Sequence, residues 1–176
     1  MNKIYYTWQD VEQQTQEILR QLHNDAWRPD YVVGLTRGGL VPANLISQYI
    51  DCPMHTLKVS LRDGAEQESN LWMAEDAFGY PAHDPMASGD GRKNILIVDD
   101  INDSGATLNW IMKDWQNSCF PKDKRWKEIW GNTVRVAVLV DNESSKSKLN
   151  VSYSAVDLNK AEQDVWIVFP WEDWWK

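Results

Sequence analysis

Cysteine is scarce in this chain, and that scarcity excludes several classes of protein. Only Cys52 and Cys119 occur among the 176 residues. Two cysteines are too few for a disulfide framework, and neither lies in a C-x-x-C pair or in the mixed Cys/His spacing of a zinc site. We therefore expect reduced thiols in a cytoplasmic protein.

Long hydrophobic runs and excess positive charge are also lacking. No stretch is apolar for long enough to cross a bilayer, and the first ten residues lack the apolar core of a signal peptide. The formal net charge is −8, which argues against a broad surface for nucleic acid or for an anionic membrane. The hydrophobic content of 43% is typical of a soluble globular protein, and the length predicts a single domain over 1–176.

The most informative stretch runs from Ile95 to Leu108, with the sequence I-L-I-V-D-D-I-N-D-S-G-A-T-L. Its four leading aliphatic residues predict a buried parallel strand, which ends at the adjacent carboxylates of Asp99 and Asp100. A loop of small residues then leads into an apolar spacing that predicts a helix. Free N–H groups and hydroxyls at a helix start suit a phosphate, whereas the carboxylates suit hydroxyl groups or a hydrated cation.

A second candidate anion site follows an earlier strand. The residues from Tyr31 to Leu35 predict a buried strand, and the sequence T-R-G-G at 36–39 leads from it into a helix. Glycine lets the backbone approach a ligand closely, and Arg37 supplies a forked donor. Alone, this loop fits a plain tight turn equally well. Together with the later motif, it indicates two anion-binding loops.

Other strands and helices alternate along the chain. Thr7 and Asp10 predict the start of a helix that runs to about Asn24. Further strands are predicted at 53–61, 133–140, 153–156 and 165–169, with a polar connection at 117–131. This alternation predicts an α/β fold with a doubly wound, mostly parallel sheet and flanking helices, whose ligands bind at the carboxyl ends of the strands.

The central stretch resembles the phosphoribosyl-pyrophosphate motif of the type I phosphoribosyltransferases, because V-D-D-I-N-D-S-G-A-T matches the family's acid pair, third acid and T/S-G-x-T loop in order. The ending from Asp164 to Glu172, D-V-W-I-V-F-P-W-E, is similar to the D-x-W-I-x-x-P-W-[DE] ending of the xanthine-guanine enzymes. The resemblance implies transfer of a phosphoribosyl group from phosphoribosyl pyrophosphate to guanine, xanthine or hypoxanthine in purine salvage. It also implies Mg²⁺, a small hood formed by a base-binding tail at 141–176, and a homodimer or homotetramer.

The resemblance also implies roles for the residues of the two loops. Arg37 and the backbone N–H groups of Gly38 and Gly39 would bind the pyrophosphate, with a cis peptide between Thr36 and Arg37. The 5′-phosphate would be bound by Ser104, Gly105, Ala106 and Thr107.

The acidic residues have separate implied roles. Asp99 and Asp100 would accept hydrogen bonds from the ribose hydroxyls, and Asp100, ahead of Asp99, would contact Mg²⁺. Asp103 would act as general base or acid at an imidazole nitrogen of the purine. A plain helix N-cap is the structural alternative for Asp103, and the residue can serve both purposes.

The base site shows one departure from the family. By resemblance, Trp166 would stack on the purine, and the backbone of Trp166 and Ile167 would bind the edge of the base. The 6-oxopurine enzymes carry a lysine after the strand matching 133–140, where this chain has Asp141. A carboxylate cannot donate to a carbonyl oxygen unless it is protonated. Either Lys146 or Lys148 replaces that lysine, or the accepted base differs, for example by presenting an amino group to Asp141.

The stretch at 62–93 is rich in turn formers and poor in periodic apolar residues. By resemblance it is a mobile lid over the substrates, and the alternative is a surface excursion with a short helix at Leu71–Ala77. Two other functions remain open: a non-catalytic sensor of phosphoribosyl pyrophosphate, and a pyrimidine or orotate phosphoribosyltransferase. The acidic net charge and Asp103 disfavour the sensor, and the tryptophan-containing tail disfavours the pyrimidine enzyme.

Overall fold

The computed structural model describes residues 1–59, 61, 71–79 and 91–176. Strands and helices alternate through most of this part of the chain, as the sequence predicts. In chain order they are β1 (Asn2–Tyr5), α1 (Trp8–Asn24), β2 (Tyr31–Thr36), α2 (Leu40–Ile50), β3 (Met54–Lys58), α3 (Leu71–Phe78), β4 (Ile95–Asn102), α4 (Ala106–Ser118), α5 (Trp126–Ile129), β5 (Val134–Asn142), β6 (Tyr153–Leu158) and β7 (Val165–Val168).

The central sheet has five strands in the order β3-β2-β4-β5-β6, and every neighbouring pair is parallel. After β2 the chain moves to one side of the sheet, whereas after β4 it moves to the other. The loops that follow these two adjacent strands therefore begin at the point where the strand order reverses, which is where open α/β sheets bind ligands. The predicted doubly wound parallel sheet is confirmed.

Two apolar clusters hold helices against the two faces of the sheet. In β4, Ile95 and Ile97 pack with α3, α4 and α5 on one face. Leu96 and Val98 pack with α1 and α2 on the other face. Successive residues thus face opposite sides of the sheet, as expected of a strand. Because helices cover both sides, the residues that face either side are apolar, and the strand is a continuous apolar run in the sequence.

A separate two-stranded parallel sheet joins β1 to β7, with Lys3 opposite Trp166 and Ile4 opposite Ile167. The predicted strand at the end of the chain is confirmed, but it does not belong to the main sheet. β1 was not predicted, because all four of its residues are exposed and carry no apolar alternation. The small hood predicted from the tail is thus built from both ends of the chain.

The start of α1 follows the predicted capping chemistry. The Thr7 side chain accepts a hydrogen bond from the Asp10 N–H, and the Asp10 carboxylate accepts one from the Thr7 N–H. This reciprocal arrangement is a capping box, which satisfies N–H groups that have no partner within the helix.

Two connections contain short helices, of which the one near Leu71–Ala77 was an alternative from the sequence and the other was not predicted. The polar connection at 117–131 contains α5, whose Trp126 and Ile129 are buried. Four residues are too few to show a helical period, so this short helix carries no pattern of its own. Most of the predicted lid at 62–93 lies outside the described residues. Within it the structure describes α3, whose Met73 and Phe78 are fully buried, so this part is a packed element of the core.

The described residues contain no helix that is both long enough and apolar enough to span a membrane.

Two neighbouring residues of α2 should contribute very differently to the stability of the fold. Ile46 is fully buried, whereas Leu45 is 39% exposed. Ile46→Ala should lower the free energy of unfolding by about 2–5 kcal/mol, because it removes buried methyl groups and leaves a cavity. Leu45→Ala should lower it by less than about 1 kcal/mol. Urea unfolding checks both variants, and equal losses would contradict the assignment of the buried face.

Candidate active site

The two predicted anion-binding loops line one cleft. The cleft has a volume of about 1120 Å³ and lies at the carboxyl ends of β2 and β4, with residues of β7 and the tail on its other side. Arg37 from the first loop and Thr107 from the second both line it. A molecule bound in the cleft can therefore contact both loops, as the sequence predicts.

The loop after β2 packs tightly against β4. A Cβ atom added to Gly38 would lie 1.9 Å from Asp100 Oδ2, and one added to Gly39 would lie 2.3 Å from the Val98 carbonyl oxygen. No side chain fits at either position, so the two glycines permit this close approach. The predicted cis peptide between Thr36 and Arg37 is confirmed. The Gly39 N–H donates to the Leu35 carbonyl at 2.9 Å, so in this structure that N–H has a partner within the protein.

The loop before α4 is held from outside by the connection between β5 and β6. Gly105 has φ of +86°, and a Cβ atom there would lie 2.2 Å from the Ser147 nitrogen. The Lys146 N–H donates to the Ser104 carbonyl at 3.0 Å, and the Lys148 N–H donates to Asn109 Oδ1 at 2.7 Å. The backbone of this connection thus fixes the loop. Ser104, Gly105, Ala106 and Thr107 line the cleft, whereas Lys146 and Lys148 do not.

The carboxylates of Asp99 and Asp100 form an electrostatically costly pair at the bottom of the cleft. Burial, reinforced by the charge of Asp100, raises the pKa of Asp99 well above its ordinary value. Burial also raises the pKa of Asp100, and the charge of Glu172 adds to this rise. Both carboxylates lie on β4, which continues to Asn102 because it stays paired with β5. The predicted end of the strand at the acid pair is therefore too early.

Asp103 lies where the strand gives way to the second loop and faces a cation. Its Oδ1 atom is 3.0 Å from the Lys160 ammonium. Its backbone carbonyl accepts a hydrogen bond of 2.9 Å from the Asn142 side-chain amide. Asp103 does not cap α4, because Gly105 holds the N-cap position. Its carboxylate is therefore available at the cleft beside a positive charge.

Aromatic residues of β7 and of the segment after it line the side of the cleft opposite the central sheet. Trp166 lines the cleft with 36% of its surface exposed, whereas Ile167 beside it is 5% exposed. Phe169 and Trp171 also line the cleft, and their rings stack at 4.9 Å between centroids. The Glu172 carboxylate accepts a hydrogen bond from the Phe169 N–H. Trp166 thus offers a partly exposed indole at the cleft, on which a flat ring can stack.

Asp141, the base-binding candidate from the sequence, does not line the cleft. Its carboxylate accepts a hydrogen bond of 2.8 Å from the Asn102 side-chain amide. The structure instead brings Asn142 and Lys160 to Asp103. Sequence reasoning missed both residues, because a lone asparagine and a lone lysine in polar segments match no motif.

Among residues 1–59, 61, 71–79 and 91–176, no cluster of three or more histidine, cysteine, aspartate or glutamate side chains could hold a metal ion. Asp99 and Asp100 form a pair of oxygen donors, so they suit a hard cation that takes its remaining ligands from a substrate or from water.

Comparison with known proteins gives a consistent result. The family model described as a phosphoribosyl transferase domain matches residues 1–173. The xanthine-guanine phosphoribosyltransferase of Cereibacter sphaeroides is 28% identical, over 96% of this chain and 86% of that protein. The hypoxanthine-guanine phosphoribosyltransferase of Schizosaccharomyces pombe is 23% identical, over 97% of this chain and 89% of that protein.

Solved structures share the fold along nearly the whole chain. The xanthine-guanine-hypoxanthine phosphoribosyltransferase of Helicobacter pylori aligns with a TM-score of 0.65 at 22% identity, covering 98% of this chain and 95% of that one. The purine phosphoribosyltransferase of Pyrococcus horikoshii aligns with a TM-score of 0.64 at 23% identity, covering 98% and 96%.

The acid pair predicts a stability that depends on pH. The pKa of Asp99 is raised in the folded state, so the folded protein loses stability as the pH rises from the unfolded pKa of about 4 through the folded value. Asp99→Asn removes this loss and can still accept the Asp100 N–H. The variant should therefore be more stable than the parent at pH 7, with a gain that shrinks towards pH 4.

Urea unfolding at several pH values between 4 and 7 measures this gain. Glu12→Gln, at an exposed position of α1, is the control and should show no such trend. A loss of stability in Asp99→Asn at every pH would contradict the electrostatic account.

Proposed function

Since the chain belongs to the phosphoribosyl transferase family, we propose that it transfers the phosphoribosyl group of phosphoribosyl pyrophosphate to a purine base and releases pyrophosphate. Guanine, xanthine and hypoxanthine are the proposed bases, and purine salvage is the proposed pathway. The observation that carries the proposal is a single cleft lined by Arg37, Thr107, Asp103 and Trp166. The purine part draws further support from the names of the curated relatives.

The two loops suit the two phosphorylated ends of the substrate. The start of α4, with Gly105 at its N-cap, offers backbone N–H groups and the positive end of the helix dipole to the 5′-phosphate. The hydroxyls of Ser104 and Thr107 add further donors. Arg37 and the backbone of Gly38 are proposed to bind the pyrophosphate, because a guanidinium donates in a fork to phosphate oxygens.

Mg²⁺ is the proposed metal, and the acid pair fits it. The raised pKa values of Asp99 and Asp100 show that their negative charge is poorly compensated, and a cation would compensate it. Mg²⁺ is usually bound by one or two carboxylates together with substrate phosphates and water. When bound, it would neutralise charge on the pyrophosphate. Asp100, which packs against Gly38, is the preferred contact, and both carboxylates are proposed to accept from the ribose hydroxyls.

Asp103 and Trp166 are proposed to act on the purine. Stacking on Trp166 would orient the base, the backbone of Trp166 and Ile167 would bind its edge, and Asp103 would exchange a proton with an imidazole nitrogen. The bond from the anomeric carbon to pyrophosphate breaks as the bond to the other imidazole nitrogen forms. Charge on the departing pyrophosphate is then stabilised by the loop that carries Arg37.

The lid and the oligomeric state are further parts of the proposal. Apart from α3, which is packed in the core, the stretch at 62–93 is proposed as a lid that would exclude water from the activated sugar; most of it lies outside the described residues. A homodimer or homotetramer in the cytoplasm is proposed, with no nucleic acid as a partner.

Asp103→Ala tests the proposed chemistry. We expect a loss of about a hundredfold or more in turnover with the preferred purine, because a positioned acid–base group contributes that much. Binding of phosphoribosyl pyrophosphate should persist, since its phosphates contact other residues. Pyrophosphate release gives the rate, and calorimetric titration gives the binding.

Glu143→Ala is the matched control, because Glu143 is an exposed carboxylate directly after β5 that does not line the cleft. Unchanged turnover in Asp103→Ala would remove Asp103 from the mechanism. Failure of the parent protein to turn over any purine, with phosphoribosyl pyrophosphate still bound, would favour a sensor.

A further inference from the structure

Lys160 is a cation beside the proposed base site, and no motif predicted it. It lies in the connection between β6 and β7, lines the cleft, and its side chain is only 17% exposed. Its ammonium is 3.0 Å from Asp103 Oδ1 and 5.6 Å from the ring centroid of Trp166. These two neighbours are the residues proposed to exchange a proton with the purine and to stack on it.

We infer that Lys160 donates a hydrogen bond to the exocyclic oxygen of the bound purine, and that it therefore determines the preference for an oxo base over an amino base. The inference rests on the proposed function. The hydrogen bond to the exocyclic oxygen is thereby assigned to a residue between β6 and β7. From the sequence, the candidates were Lys146 and Lys148, or an altered base at Asp141.

A buried amide holds Lys160 and Asp103 together. Asn142 is 6% exposed, and its Oδ1 atom accepts the backbone N–H of Lys160 at 3.0 Å. The side-chain N–H of Asn142 donates to the backbone carbonyl of Asp103 at 2.9 Å. One side chain thus fixes the backbones of Lys160 and Asp103 relative to each other, which reduces the freedom that binding a base would otherwise have to remove.

The paired charges match one edge of an oxopurine. An ammonium can only donate hydrogen bonds, and an ionised carboxylate can only accept them. On a 6-oxopurine, the exocyclic oxygen is an acceptor and lies beside an imidazole nitrogen that can carry a proton. Lys160 can donate to this oxygen while Asp103 accepts the adjacent N–H. On a 6-aminopurine, the exocyclic group presents N–H donors to an ammonium, so the contact becomes unfavourable.

The other candidates are poorly placed for this contact. Lys146 and Lys148 use their backbones to hold the loop before α4, and neither lines the cleft. Asp141 also lies outside the lining, and its carboxylate is bonded to Asn102. Within the described part of the chain, Lys160 is thus the lysine that reaches Asp103 and Trp166 together.

Lys160→Met is the direct test, because methionine keeps an unbranched side chain and removes the charge and all donors. The probes are inosine 5′-monophosphate and adenosine 5′-monophosphate, which share the sugar phosphate and differ in the exocyclic group of the base. Titration calorimetry measures both affinities. We expect the parent to prefer the oxo nucleotide by about 10- to 100-fold, the range for a hydrogen bond to a charged group.

In Lys160→Met this preference should fall to less than about threefold, with the loss confined to the oxo nucleotide. Lys160→Arg should retain part of it, because arginine keeps the charge and the donors. Lys148→Met is the control and should retain the parent preference. An equal loss of affinity for both nucleotides would contradict the inference, because it would show that Lys160 maintains the structure of the site without selecting the base.

Three other results would overturn the inference: an unchanged preference in Lys160→Met, a parent that binds both nucleotides equally, or a parent that binds neither. The proposed function is judged separately, by pyrophosphate release with a panel of bases. A parent that shows the nucleotide preference without turnover would refute the proposed activity and leave the assignment of Lys160 intact.

Discussion

The parallel pairing of β2 with β4 is the constraint on which the rest of the site depends. It sets two loops side by side at the edge where the strand order reverses. Gly38 then packs so closely on Asp100 that no side chain fits between them. A different neighbour for either strand would separate the two loops and divide the cleft. The order of strands in the sheet is therefore what turns two ordinary loops into one binding site.

The charges of the site follow from this packing. Asp99 and Asp100 lie on the part of β4 beyond Val98, where the pairing with β2 has ended and the strand continues along β5 alone. Their raised pKa values show that the fold tolerates an unfavourable arrangement there. Such strain at a cleft is typical of sites that bind charged ligands. Asp103 lies just beyond the strand, where the positive charge of Lys160 balances its carboxylate.

Sequence reasoning predicted most of the fold and most of the residues that line the cleft, but it missed Asn142 and Lys160 beside Asp103. Buried strands and glycine loops leave local patterns, because burial and tight turns restrict which residues fit. The base side depends on contacts between distant residues. Asp141 and Asn142 are neighbours in β5, and successive residues of a strand face opposite ways. Asn142 therefore bonds to Asp103, whereas Asp141 bonds to Asn102 and lies outside the lining of the cleft. Lys160 reaches Asp103 across more than fifty positions of the chain, a distance at which no spacing rule applies.

The pairing of β1 with β7 has a consequence for how the protein forms. These strands lie about 160 residues apart in sequence, which is the longest separation among the strand pairings of the described residues. β2 and β4 are much nearer to each other and can pair before β7 has been synthesised. The side of the cleft formed by the loops after β2 and β4 can thus assemble early. The side that holds Trp166 is completed only after β7 has emerged and paired with β1.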